Sequence, residues 1–181
     1  MLLSIELVAA VADNLVIGRD GDMPWHISAD LRHFKELTTG QSVLMGRRTL
    51  ESMGNKPLPR RQNLLLSRTL STVPAGVELF HSPQAAVRRV LAQGARRLMI
   101  IGGADLYREF LPFCRLLHLT LVHLSPAGDT FFPAYDALGF RCISREEHAD
   151  ESGLSYSFVT LEREEGAESV FWQWLNQTRE G

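Results

Sequence analysis

Asp30 stands near the start of an amphipathic stretch in the run Met23-Pro24-Trp25-His26-Ile27-Ser28-Ala29-Asp30-Leu31-Arg32-His33-Phe34-Lys35, just after a glycine-bearing loop from Asn14 to Asp22. Ser28 is suited to cap a helix amino terminus, which puts Asp30 in the first turn, with Phe34 four residues on and Leu31 beside it on one apolar stripe. Burial against apolar surface penalises the charged carboxylate, so its pKa rises toward the range useful for delivering a proton near neutrality. The same group can grip a flat polar heterocycle through two parallel hydrogen bonds. Taken alone, an acid in a first turn only complements the helix macrodipole. Its neighbours decide between these readings.

Three junctions share one layout: an apolar strand ends, a small residue permits a tight turn, and donors follow. They are Val43-Leu44-Met45-Gly46-Arg47-Arg48-Thr49, Leu64-Leu65-Leu66-Ser67-Arg68-Thr69 and Met99-Ile100-Ile101-Gly102-Gly103-Ala104-Asp105-Leu106-Tyr107. In an open parallel sheet, ligands settle beyond the carboxyl ends of the strands, where glycines let phosphates approach backbone N–H groups. Together the three junctions predict a dinucleotide site, although Gly102-Gly103 does not complete the GxGxxG fingerprint. Arg47, Arg48 and Arg68 each follow a strand end and suit a phosphate ester such as the 2′-phosphate of NADPH.

The elements that must position these groups follow from hydropathy. Strand-like runs occur at Leu3 to Val11, Ser42 to Met45, Asn63 to Leu66, Val77 to Phe80, Arg97 to Ile101 and Leu116 to Leu124. Helical patterns lie between them at Ala29 to Leu37, Arg47 to Met53, Pro83 to Ala92 and Ala104 to Leu111. The third is well punctuated, with Ser82 as cap, Pro83 in the first position and Gly94 past the end. Such alternation predicts a mostly parallel sheet covered on both faces. Two further strands, Phe140 to Glu146 and Ser155 to Leu161, have no helix between them and predict an antiparallel edge.

At 181 residues the chain is sized for one domain with a substantial core, and a net charge of -2 offers no field to attract nucleic acid or anionic membrane. Cys114 and Cys142 suggest neither a disulfide framework nor a zinc site, and the six histidines contain no HExxH pattern. His118 and His123, five apart in a strand-like run, are expected on opposite faces. No metal is expected. The first twelve residues lack a basic leader and carry Glu6 within the apolar run, which favours a buried first strand over a secretion signal. No apolar run reaches spanning length, and a cytoplasmic protein is expected.

Past Glu162-Arg163-Glu164-Glu165-Gly166, a segment from Ala167 to Asn176 places Val170, Phe171, Trp174 and Leu175 on one helical face. This helix could dock on the body, pair with another copy, or fray. Its lack of basic residues argues against a membrane surface.

The combination of Val16-Ile17-Gly18, Met23-Pro24-Trp25, Ala29-Asp30-Leu31, Phe34-Lys35, Met45-Gly46-Arg47-Arg48-Thr49, Glu51-Ser52-Met53-Gly54, Pro57-Leu58-Pro59, Asn63, Ile101-Gly102-Gly103 and Gly128-Asp129-Thr130 closely resembles bacterial dihydrofolate reductase. The resemblance runs from about Leu3 to Arg163. It implies a reductase domain at 1–163 and a C-terminal extension at 164–181, with a central eight-stranded, mostly parallel sheet, an antiparallel C-terminal edge and four flanking helices. The implied reaction is NADPH-dependent reduction of 7,8-dihydrofolate to tetrahydrofolate, which serves one-carbon metabolism and thymidylate synthesis and is the target of antifolates.

By position, the resemblance implies catalytic roles for Asp30, Trp25, Met23 and Thr120. It implies a substrate cleft of Val8, Ala10, Leu31, Phe34, Met53 and Leu58, with Arg61 clamping the glutamate α-carboxylate. Cofactor contacts fall on Ala10, Ile17, Gly18, Gly46, Arg47, Arg48, Thr49, Leu66, Ser67, Arg68, Ile101, Gly102, Gly103 and Tyr107. The loop from Asn14 to Met23, with Gly18 and Gly21 as flexible points, reads as a lid. Ser28 stands where many relatives have proline, Leu50 where an aromatic is common, and Arg60 where glycine often precedes the clamp arginine. Asn55-Lys56 lengthens the loop before Pro57 by one residue. A monomer is expected, with a tail-mediated dimer as the alternative. The competing functions are a same-fold pyrimidine reductase of riboflavin synthesis, a nucleic-acid binder using the arginine pairs, and an assembly module built on the tail.

Overall fold

Near-continuous apolar strands build the centre of the molecule, because parallel strands packed on both faces have no solvent side. The computed structural model describes residues 3–164 and 166–177. Residues 1–2 of the predicted first segment, Glu165 of the charged break and the last four residues of the extension lie outside the described residues. In chain order the strands are β1 (Ser4–Ala12), β2 (Val16–Gly18), β3 (Ser42–Gly46), β4 (Gln62–Leu66), β5 (Val77–Phe80), β6 (Arg97–Gly102), β7 (Leu116–Val122), β8 (Thr130–Phe131), β9 (Phe140–Ala149) and β10 (Ser155–Arg163). The helices are α1 (Ser28–Thr38), α2 (Arg47–Ser52), α3 (Pro83–Ala92), α4 (Ala104–Phe110) and α5 (Glu168–Leu175), with a 3-10 turn at Leu111–Phe113.

Eight strands form one sheet in the order β5-β4-β3-β6-β1-β7-β10-β9, and β2 pairs with β8 in a separate ribbon. Pairings from β5 to β7 are parallel, and β10 runs antiparallel to both β7 and β9. The mostly parallel eight-stranded sheet with an antiparallel C-terminal edge expected from the sequence is the one observed. The edge strand β9 is exposed along most of its length and carries Arg141, Arg145, Glu146 and Glu147, charges that discourage pairing with another sheet.

Local signals account for α3: Ser82 Oγ accepts from the Ala85 N–H at 3.1 Å, and Gly94 takes a positive φ just past the end. At α1 the expectation changes. Ser28 is the first helical residue rather than the cap; Ile27, 4% exposed, flanks the helix and makes no side-chain cap bond. Packing of Ile27 into the core sets the entry point, which a capping preference of about 1 kcal/mol does not override.

The Asn14–Met23 segment is also more constrained than a free lid. Gly18 lies within β2, and the Asp20 N–H donates to Asp129 Oδ2 at 2.9 Å. Gly128 is required by close approach, since a Cβ there would meet Val16 Cγ1 at 2.3 Å. Gly21, at φ 81°, remains at the apex of the turn.

A buried carboxylate interrupts β1. Glu6, 3% exposed, accepts from Arg97 Nη2 at 2.7 Å and lies 2.7 Å from His118 Nε2. Burial opposes its charge, but the hydrogen bonds from His118 and Arg97 prevail and hold its pKa at about 2. His123 lies just past β7, between Asp13 and Ser157.

The extension docks on its own body. Phe171, Trp174 and Leu175 are buried, whereas Val170, expected on the same face, is exposed, because the helix presents only a narrow stripe to the core. Trp174 packs on Phe113 and Phe110 at centroid distances of 4.5 and 5.3 Å, and its indole N–H donates to Glu109 Oε1 at 2.7 Å. Two side chains of α3 cap the open carbonyls of α5: Gln84 donates to Trp174 O at 3.3 Å and Arg88 to Leu175 O at 2.5 Å. Trp174→Ala is expected to cost about 3–5 kcal/mol. The thermal midpoint should then fall by roughly 10 °C in a calorimetric scan. An unchanged midpoint would show that the helix does not brace the core.

Candidate active site

α1 lies across the sheet face so that Asp30 meets the centre of the sheet at one end of the helix and Thr38 approaches the loop before β4 at the other. On β7, Thr120 pairs with Ala10 of β1 and Phe158 of β10, and its hydroxyl donates to Asp30 Oδ1 at 2.5 Å. Burial raises the Asp30 pKa, and the Thr120 hydrogen bond and the charge of His33 only partly offset it. His33, one turn along α1, stacks on Phe158 with centroids 4.0 Å apart. Burial lowers the His33 pKa against the attraction of Asp30 and Glu36. His33 was missed as a neighbour of the acid, although a spacing of three residues on a helix was a signal for it.

Apolar walls flank the carboxylate. Val8 belongs to one buried cluster with Met45, Leu50 and Ile101, against which Phe34, Met53 and Leu58 pack. Trp25, Ala10 and Ile27 belong to a second cluster on the other side. Met23 and Leu31 are 40% and 52% exposed, so they stand at the mouth of the cleft rather than in its wall. Trp25 Nε1 is buried without a protein partner. A donor of this kind costs about 1–3 kcal/mol unless something else accepts from it.

At the far end of α1, Arg61 donates through Nε to Pro59 O at 2.9 Å and through Nη1 to Thr38 Oγ1 at 3.0 Å. These bonds fix the plane of the guanidinium and leave its remaining N–H groups for another acceptor. From Asp30 to Thr38 the helix rises about 12 Å. The cleft therefore suits an elongated ligand with a heterocycle at one end and a carboxylate at the other.

The three glycine and serine junctions come together as expected. β4, β3 and β6 are neighbours, with Gly46 opposite Leu66 and Met45 opposite Gly102, so their carboxyl ends align. Gly102 has φ 126°, and a Cβ there would lie 3.2 Å from Tyr107 Oη and 3.3 Å from Thr49 Oγ1. A Cβ on Gly103 would meet nothing within 4 Å. Bare backbone thus lines an open cradle, which fits a dinucleotide's phosphates.

Tyr107 is already engaged, donating to Val8 O at 2.7 Å. Ser67 Oγ accepts from the N–H groups of Thr69 and Leu70 and shapes the turn. Arg48 and Arg68 are exposed, and Arg47 pairs with Glu51 at 3.2 Å while half exposed. Ile101 is buried beside the cradle, whereas Ile17 packs on the main core and Gly18 sits in the β2–β8 ribbon. Among the described residues, no three His, Cys, Asp or Glu side chains gather as metal ligands. No helix among the described residues is long and apolar enough to cross a membrane.

Comparison with known proteins agrees with this geometry. Residues 4–163 match the family model described as dihydrofolate reductase. Dihydrofolate reductase type 3 of Salmonella typhimurium is 46% identical over 162 residues, covering 88% of this chain and 98% of that protein. Dihydrofolate reductase of Neisseria meningitidis is 43% identical over 159 residues, covering 87% of this chain and 97% of that protein. A solved dihydrofolate reductase from Enterococcus faecalis, complexed with NADP(H) and RAB-propyl, superposes with a TM-score of 0.79 at 30% identity, over 90% of this chain and 97% of that one. With its sheet order, its cleft acid and these relatives in agreement, the chain belongs to the dihydrofolate reductase family.

Proposed function

We propose that Asp30 is the acid that activates the pterin in this dihydrofolate reductase. The protein is an NADPH-dependent oxidoreductase that converts 7,8-dihydrofolate to 5,6,7,8-tetrahydrofolate. NADPH, when bound, supplies the hydride that is delivered to C6 of the substrate. The hydrogen bond between Thr120 and a desolvated Asp30 carries the assignment of the acid, because it leaves Oδ2 and the remaining lone pairs of Oδ1 for the 2-amino side of the ring.

Ring N5 lies away from a carboxylate holding that side, so the proton arrives through water while Asp30 raises the basicity of the ring. Trp25 provides a donor for the water nearby. Val8, Ala10, Phe34, Met53 and Leu58 keep the cleft dry, Met23 and Leu31 close over its mouth, and Arg61 holds the α-carboxylate. On the cofactor side, Gly46, Gly102 and Gly103 offer backbone; Arg47, Arg48, Thr49, Ser67 and Arg68 take phosphates. Ala10, Ile17, Gly18, Leu66, Ile101 and Tyr107 shape the nicotinamide and adenine pockets. Catalysis is mainly alignment in a water-poor cleft.

Residues 1–163 act as the reductase domain, and α5 of the extension that follows braces it. A monomer is the form consistent with α5, whose buried residues face the protein's own core. That docking also disfavours an assembly module. Loss of reduced-nicotinamide absorbance on adding dihydrofolate, abolished by a diaminopyrimidine antifolate, is the expected result. Oxidation of NADPH with the aminouracil intermediate of riboflavin synthesis, and none with dihydrofolate, would overturn it.

A further inference from the structure

His33 follows Asp30 by three residues, which on a helix sets their Cβ atoms about 5–6 Å apart. Both side chains land on one rung of the sheet. Thr120 of β7 is the register partner of Phe158 of β10; Asp30 bonds the first of this cross-strand pair, and His33 stacks on the second at 4.0 Å between centroids and 19° between planes. The imidazole is half-buried there, and Phe158 is itself backed by His148 at 5.0 Å and Tyr156 at 5.5 Å. An aromatic face under the ring also attracts it when it carries a positive charge.

The titratable groups that face His33 are Asp30 and Glu36 of α1, His118 of β7 and Glu146 of β9. The three acids favour a proton on the ring, whereas burial, the largest influence, and His118 oppose it. His118 places its Nε2 2.7 Å from Glu6, and Glu146 lies 3.3 Å from His148 Nε2. Asp30 faces Thr120, His33 and the engaged hydroxyl of Tyr107. Ordinary values of 6.5 for the imidazole and 3.8 for the carboxyl are moved toward each other by burial. Two such groups side by side titrate as a pair. A proton on the ring leaves opposite charges adjacent, with the carboxylate still accepting from Thr120.

We propose that His33 is a positioning residue for the reduction: it takes the first proton as the cleft acidifies, and its charge keeps Asp30 ionised and able to hold the pterin. The proposal rests on the assignment of Asp30 as the activating acid. His33 acts through that carboxylate, and Phe158 fixes the distance between the two. A phenylalanine at position 33 would keep the stack and lose the charge.

Titration of the His33 ring by nuclear magnetic resonance, in the full chain without ligands, tests the pairing apart from catalysis. Asp30→Asn should lower the midpoint of the ring by about half to one pH unit, the effect of one charge at this spacing in a largely aqueous setting. Linkage requires that loss of the imidazole move Asp30 in the opposite direction. In His33→Phe the limb of the kcat/KM profile that reports Asp30 should therefore shift to higher pH by about the same amount, and His33→Lys, which restores a charge, should return it to the parent's position or below. Position of the limb, not its height, is the readout, so a mere loss of fit leaves it in place. An unmoved ring midpoint in Asp30→Asn, or an unmoved limb in His33→Phe, would overturn the proposal. A limb that moves in His33→Phe and fails to return in His33→Lys would also overturn it, because packing rather than charge would then be responsible. Full turnover by Asp30→Asn with a shifted ring midpoint would instead remove Asp30 from the mechanism, and His33 with it, while their pairing stood.

Discussion

Asp30→Asn should lower kcat at pH 7 by at least about a hundredfold, the low end of what a positioned acid contributes. NADPH affinity should stay nearly intact, because the cradle of Gly46, Gly102 and Gly103 lies on other strands from Thr120. The amide keeps the size and part of the hydrogen bonding of the carboxylate but lacks its charge and cannot raise the basicity of the ring. The pH dependence has a definite sign. Burial raises the folded-state pKa of Asp30, so between the ordinary aspartate range and that raised value the folded protein binds more protons than the unfolded chain.

Stability contributed by this group is therefore fully present at low pH and declines as pH rises through that window. The asparagine side chain carries no charge to desolvate, so the variant should match or exceed the parent in stability above it, even as activity collapses. Turnover by the parent should also fall as pH drops through the Asp30 pKa, where the carboxylate loses the charge that raises the basicity of the ring, and this limb should vanish from the residual activity of the variant. Stopped-flow turnover and urea unfolding across pH check both halves. Full turnover in the asparagine variant would remove Asp30 from the mechanism.

The second large effect concerns the cofactor's phosphate. Arg47→Ala and Arg68→Ala should each weaken NADPH by roughly tenfold to a hundredfold, the range for one or two charge-assisted hydrogen bonds worth about 1.5–3 kcal/mol. NADH, which lacks the 2′-phosphate, should bind the variants almost as it binds the parent. The Arg47–Glu51 pair does not prevent this role, since both side chains are about half exposed and such surface pairs contribute about 0–1 kcal/mol. Fluorescence titration of the two nicotinamides decides: equal losses for both would mean that neither guanidinium touches the 2′-phosphate.

How much of this was legible in the chain varies by element. The eight strands of the main sheet and the four helices were readable because each carries its own hydropathy period and punctuation, most clearly Ser82, Pro83 and Gly94 around α3. The ribbon of β2 and β8 was missed, since runs of three and two residues give no period to detect. The cradle was predictable from three local junctions, each with its own glycine or serine. Arg60 was visible only as a departure from the family pattern; its left-handed backbone emerges from folding.

The amino-acid sequence by itself determined the alternation of strands and helices, the acid at the head of α1, and the family to which these motifs belong. Those features depend on residues within a few positions of one another, where periodicity and capping act. The family resemblance already pointed to Thr120, 90 residues from Asp30, as the partner of its carboxylate; tertiary structure alone decided that Glu6 would find His118 112 residues away and that the final helix would turn its tryptophan inward. Such contacts carry no local signature, because they depend on which surfaces meet when the strands cross over, and the energy of burying a charge or an indole is defined only once its surroundings are in place.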